Sequence, residues 1–136
     1  MFRKPTSRFD ARVLVVDDYL INQELTKEFL EKMGCSVDLA DDGEEALLCL
    51  DTMEYDLIFM DIQMPQLDGY QATQKIRQAE KKDKHTPIIA LTANALSGDR
   101  EKCLRAGMDD YLGKPVRCRE IEELLIKFLS QQRIAF

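Results

Sequence analysis

Three short apolar runs constrain this chain most: Val13–Val16, Leu57–Met60 and Pro87–Leu91, which stop on Asp17, Asp61 and Thr92 respectively. Continuous apolar runs of this length, without polar alternation, belong to strands buried on both faces, and such strands form parallel sheets covered by helices on each side. Between the runs the apolar period lengthens. From Tyr19 to Met33, Ile21, Leu25, Phe29 and Met33 recur every four residues with Leu30 beside them, and Gly34 follows as a helix C-cap would.

The remaining elements follow the same alternation. Ser36–Ala40 alternates polar with apolar, as a more exposed strand does, and Asp42-Gly-Glu-Glu45 has the form of a capping box opening a helix through Ala46, Leu47 and Leu50. Asp68, three residues before Gln71, opens another helix through Ala72 and Ile76. Its far end, Glu80-Lys-Lys-Asp-Lys84, mixes both signs and reads as a solvated helix end. Pro87 stands at the first position of its strand, where a missing donor is tolerated. Ser97–Ala106 reads as a short polar helix stopped by Gly107, and Tyr111–Gly113 as a last strand ending at Lys114-Pro115. Ile121, Leu124, Leu125, Phe128 and Leu129 then line one side of a final helix.

Strand and helix thus alternate five times in a single domain. The expected fold is α/β: a doubly wound five-stranded parallel sheet with right-handed crossovers, the second strand at an outer edge. Residues 1–11 read as a flexible lead-in, 12–130 as the domain and 131–136 as a tail.

Composition narrows the function. A chain of 136 residues can bury roughly two-thirds of its unfolded surface and needs no metal or disulfide to fold. A net charge of −6 disfavours a broad nucleic-acid footprint, and no stretch is apolar and long enough to cross a membrane. The expected setting is the cytoplasm, or a cytoplasmic module. Cys35, Cys49, Cys103 and Cys118 are scattered, with no C-x-x-C pair, and read as reduced thiols. His85 lacks a second histidine and is assigned no catalytic or ligand role.

The informative residues lie at the strand ends. In open parallel sheets ligands bind beyond the carboxyl ends of the strands, at the point where strand order reverses. Those ends carry Asp17, Asp18, Asp61, Thr92 and Lys114. Two unit charges about 4 Å apart repel by roughly 4 kcal/mol at an effective dielectric of 20, so clustered carboxylates call for a cation. Lys114 supplies one charge, and an all-oxygen donor set suits Mg²⁺ or Mn²⁺. A carboxylate beside a divalent ion, an ammonium and a hydroxyl is equipped to become an acyl phosphate.

Asp17-Asp18 after the first strand, Asp61 with Met64-Pro65 and Asp68-Gly69 after the third, Ala90-Leu-Thr-Ala93, and Lys114-Pro115 after the fifth together resemble the receiver domain of two-component response regulators. The wording around Asp61 and Thr92 is most similar to receivers of hybrid sensor histidine kinases. The resemblance covers about residues 12 to 130. It implies a flavodoxin-like (βα)5 fold with strand order 2-1-3-4-5. It also implies Asp61 as phosphoacceptor, Asp18 as a direct magnesium ligand, Asp17 acting through a metal-bound water, and the Gln63 backbone carbonyl as a further ligand. Thr92 would be the hydroxyl that hydrogen-bonds the phosphoryl group, Lys114 its ammonium partner across a cis bond to Pro115, and Tyr111 the aromatic switch. Gln63 and Asn94 occupy the positions that tune access of hydrolytic water.

The implied partners are a histidine kinase or a histidine phosphotransfer domain, with output or homodimer formation through the face of the fourth helix, fifth strand and fifth helix. No direct nucleic-acid or membrane contact is expected, and the chain reads as a free-standing receiver or a piece of a larger protein such as a membrane-bound sensor kinase. Three rivals remain open. A metal-dependent aspartyl-phosphate phosphohydrolase would want a second aspartate where Gln63 stands, and a flavin module would want a phosphate-cradling loop where Asp17-Asp18 stand. A receiver used only for docking would not need the intact set of polar groups.

Overall fold

The computed structural model describes residues 8–64, 67–93 and 99–129. Strands β1 (Arg12–Val16), β2 (Ser36–Ala40), β3 (Leu57–Asp61), β4 (Ile88–Thr92) and β5 (Asp110–Gly113) alternate with helices α1 (Leu20–Lys32), α2 (Gly43–Thr52), α3 (Gly69–Ala79), α4 (Asp99–Ala106) and α5 (Cys118–Leu129). All strand pairs are parallel, in the order β2-β1-β3-β4-β5. The expected architecture is therefore the observed one.

The unbroken apolar runs are explained by two cores. Side chains of a strand alternate between faces, so Val13, Val15, Leu57, Phe59, Ile89 and Leu91 pack with Leu30 of α1 and Ile121 and Leu125 of α5. Leu14, Val16, Ile58, Met60, Ile88 and Ala90 pack on the other face with Ala46 of α2, Ala72 and Ile76 of α3 and Cys103 of α4. A polar residue inside β1, β3 or β4 would face one core or the other. Polar side chains are thus confined to the strand ends.

Helix ends follow the local chemistry closely. Gly34 and Gly107 have φ of +94° and +103° and close α1 and α4. The Gly34 N–H donates to Glu31 O and the Cys35 N–H to Leu30 O, which satisfies the last carbonyls of α1; Gly107 and Met108 do the same for α4 with Leu104 O and Cys103 O. Asp68 and Gln71 form the expected reciprocal box on α3. At α2 the box does not close as the spacing suggests. Asp42 accepts from the Glu45 N–H at 2.8 Å, but Glu45 Oε1 accepts from the Asp41 N–H, one residue further back.

Three expectations need correction. The stripe on α1 is displaced: Leu30 and Met33 are fully buried, but Ile21 is 64% exposed, and Gln23 and Thr26 are buried instead. The first turn of α1 lies level with the strand ends, where the Gln23 amide meets the backbone carbonyls of Asp17 and Ala40. The charge run after α3 is only partly solvated. Glu80 pairs with Arg77 at 3.0 Å and accepts from the Thr86 N–H, while Arg77 also binds Asp109 and donates to the Gly107 carbonyl. His85 contacts Asp109 at 2.7 Å, at the sheet edge opposite the acidic cluster. The lead-in also ends earlier than expected. Phe9 is fully buried in the first core with Leu30 and Met33 at the end of α1, and its N–H donates to Met33 O at 2.8 Å. The tail expected at 131–136 lies outside the described residues.

All four cysteines are free thiols, and burial pushes Cys35 up to about 12. Among the described residues, no helix is long and apolar enough to cross a membrane.

Phe9→Ala should lower unfolding free energy by about 3 to 5 kcal/mol, read as a lower urea midpoint. A change within error would return this residue to the lead-in.

Candidate functional site

Register brings the polar tips together. Val16 lies opposite Met60, so Asp17 and Asp61 leave adjacent strands side by side, and Asp61 lies opposite Leu91, placing Thr92 one residue beyond. Thr92 lies opposite Gly113, and the Lys114 N–H donates to Thr92 O at 2.8 Å. Lys114 Nζ then reaches Asp61 Oδ2 at 3.1 Å and Asp17 Oδ2 at 3.5 Å. One carboxylate oxygen from each of Asp17, Asp18 and Asp61 lies within 4.8 Å of the others.

Burial sets the electrostatics. Asp17 and Asp61 are 0% and 2% exposed, whereas Asp18 faces solvent. Burial pushes the Asp61 carboxyl up to about 6; the Gln63 N–H at 3.0 Å from Oδ1 and the Lys114 ammonium pull it back, and the Asp17 charge raises it. Asp17 Oδ1 accepts from the Tyr19 N–H at 3.0 Å, but buried Oδ2 has no hydrogen-bond partner, only the Lys114 ammonium at ion-pair distance. A buried carboxylate oxygen without a donor, facing two other carboxylates, fits a hard cation. Asp17, Asp18 and Asp61 could hold one, and the exposure of Asp18 gives it an approach from solvent.

The other candidates fall around this cluster. Thr92 is buried, and the Lys114-Pro115 bond is cis. Tyr111 is half-buried on β5, opposite Ala90, packed against the second core and bordering a cavity of about 60 Å³ with Arg100, Cys103 and Leu104. Gln63 has an exposed side chain. Asn94 and Pro65 lie outside the described residues.

One residue of the site was quoted from the sequence without a task. Gly69 opens α3, and a Cβ there would stand 2.4 Å from the Asp61 carbonyl oxygen and 2.7 Å from Ile62 Cα. The loop after β3 folds back so closely that only glycine fits, with the Gly69 N–H donating to Ile62 O at 3.3 Å. The sequence signal was the Asp-Gly pair at the helix start, read only as a cap.

The model of the response regulator receiver domain matches residues 13–126, which include every strand end described above. The chain belongs to that family. The receiver domain is 43% identical over 127 residues to hybrid signal transduction histidine kinase L of Dictyostelium discoideum, covering 90% of this chain and 7% of that protein. It thus spans a small fraction of that relative's length. The receiver domain of the Pseudomonas aeruginosa sensor histidine kinase PA1611, with a magnesium ion in its active site cleft, is 44% identical, with a TM-score of 0.80 over 89% of this chain and 98% of that one. The Saccharomyces cerevisiae Ssk1 receiver, solved with the histidine phosphotransfer protein Ypd1, is 34% identical, with a TM-score of 0.83 over 95% and 96%.

Two outcomes follow from this geometry. Gly69→Ala should cost about 1 to 3 kcal/mol in thermal or urea unfolding, because its Cβ meets backbone that cannot give way cheaply; a neutral substitution would show that the Asp61 loop is not braced there. The second concerns pH in metal-free protein. A folded-state carboxyl raised to about 6 stabilises the fold fully below its unfolded value near 4, and that stability is lost as pH rises through 6. Asp61→Asn should therefore stabilise metal-free protein at pH 7 by on the order of 2 kcal/mol, with the gain vanishing towards pH 4. A gain independent of pH would dissociate it from Asp61 ionisation.

Proposed function

We propose that this receiver domain accepts a phosphoryl group on Asp61 from a phosphohistidine of a histidine kinase or phosphotransfer domain. The observation that carries the reading is the buried Asp61 carboxylate held 3.1 Å from Lys114, within a cluster of three carboxylates at one sheet edge. Asp17, Asp18, Asp61 and the Gln63 carbonyl would hold Mg²⁺, or Mn²⁺, which have the same preference for oxygen donors. When bound, the ion neutralises charge on the transferring phosphoryl oxygens.

The chain's own groups do the rest. Burial leaves the Asp61 carboxylate poorly solvated, which favours attack. A carboxylate oxygen forms the new bond to phosphorus as the bond from phosphorus to the imidazole nitrogen breaks, and the electron pair of that bond stays on the imidazole. Lys114, which spans Asp17 and Asp61 in the unphosphorylated site, then has a phosphoryl oxygen to pair with, and the Thr92 hydroxyl can donate to another. Movement of Thr92 would let Tyr111 turn inward beside β4, altering the face made by α4, β5 and α5. Water attacking phosphorus later returns free phosphate, at a rate set in part by Gln63 and Asn94.

The approach side is supported by exposed apolar residues. Tyr19, Leu20 and Ile21 are all exposed, immediately after the two acidic residues that follow β1, where a helical phosphohistidine partner would rest. The likeness to hybrid kinases supports a place as one module of such a protein on the cytoplasmic side, with phosphotransfer and self-dephosphorylation as its only chemistry. The phosphohydrolase reading is disfavoured because exposed Gln63, at the acid-base position, cannot donate or accept a proton in turn.

Incubation with acetyl phosphate and Mg²⁺ should add one phosphoryl group by intact mass to wild type and none to Asp61→Asn. Equal labelling of both would remove Asp61 as acceptor, and rapid turnover of a phosphomonoester would favour the hydrolase.

A further inference from the structure

The reaction leaves one buried polar side chain near the site without a task. Gln23, in the first turn of α1, is 3% exposed. Its Nε2 donates to the Asp17 carbonyl oxygen and to Asp41 Oδ1 at 2.7 Å, with a weaker contact to the Ala40 carbonyl at 3.3 Å. A primary amide has two N–H groups, so both are committed and the third contact is shared. The acceptors belong to the end of β1, the end of β2 and the loop entering α2. One side chain therefore ties together the turns that leave two neighbouring strands.

The acceptor on β1 matters most. The Asp17 carbonyl belongs to the peptide plane that joins Asp17 to Asp18, and a planar peptide fixes the position of the residue that follows it. On the near side, the Asp17 N–H donates to Ala40 O at 3.1 Å, and Asp17 Oδ1 accepts from the Tyr19 N–H. These bonds fix Asp17 itself. Asp18 is exposed, so packing does little to hold it, and its direction depends on the peptide that Gln23 grips. A methionine or leucine would fill the same space but leave the Asp17 carbonyl free to rotate.

We propose that Gln23 is a positioning residue for the divalent cation: by holding the Asp17–Asp18 peptide, it aims the exposed Asp18 carboxylate at the cluster formed with Asp17 and Asp61. This rests on the magnesium reading of the site. Groups that orient metal ligands from behind typically cost about 10- to 100-fold in metal affinity when removed.

Calorimetric titration of MgCl₂ into wild type, Gln23→Met and Gln23→Glu, with thermal melts of each metal-free protein, tests the idea. Gln23→Met, which keeps length and packing, should weaken Mg²⁺ binding about 10-fold or more. Gln23→Glu should weaken it as well, although an added negative charge alone would tighten it; this variant decides the question if Gln23→Met does not fold. An unchanged dissociation constant in a folded variant, even one with a lowered melting temperature, would overturn the positioning role while leaving the metal site standing. Tighter binding by Gln23→Glu would overturn it too, since charge and not aim would then govern affinity. Absence of Mg²⁺ binding by the wild type would instead overturn the reading of the site itself.

Discussion

Three carboxylates with oxygens within 4.8 Å of one another repel strongly when two of them are buried, and the rest of the site is arranged around that repulsion. Lys114 answers part of it by bridging Asp17 and Asp61. Burial adds to the cost by pushing the Asp61 carboxyl up to about 6, and the Asp17 charge raises it further. Lys114 alone leaves the edge under-compensated in charge, which suits the proposed role of receiving a cation and then a highly charged phosphoryl group. A fully neutralised cluster would be more stable and less useful.

The sheet supports this arrangement because its two cores permit nothing else. Strands β1, β3 and β4 are apolar on both faces, so the polar residues of the site can lie only at or just after their carboxyl ends. Parallel pairing brings those positions to one edge, and register aligns Asp17, Asp61, Thr92 and Lys114 within a few residues of each other. Helices α1 and α3 begin at the same edge. Their first turns brace the loops: Gln23 through hydrogen bonds to strand-end carbonyls, and Gly69 through the absence of a side chain against the Asp61 backbone. The opposite edge carries a different kind of brace. There Arg77 joins α3 to Glu80, Asp109 and the carbonyls of Gly107 and Thr86, so that α3, the end of α4 and the start of β5 are held at the far end of the sheet from the acidic cluster.

By itself the sequence determined the alternation of strand and helix, the class of sheet and the residues at its functional edge. Continuous apolar runs admit few environments, and their polar ends are visible one residue at a time. The glycine ends of α1 and α4 and the capping box of α3 were legible for the same reason, since each depends on residues close in the chain. Tertiary structure alone decided which face of α1 is covered, that Phe9 belongs to the core, that Gln23 holds the strand-end turns, and that the loop after β3 folds back onto Gly69. Each of these depends on what another segment places opposite the residue. An apolar period identifies a helix but does not say where the sheet beneath it ends, and so Ile21 could share the stripe of Leu25 and still stand in solvent while polar Gln23 was buried.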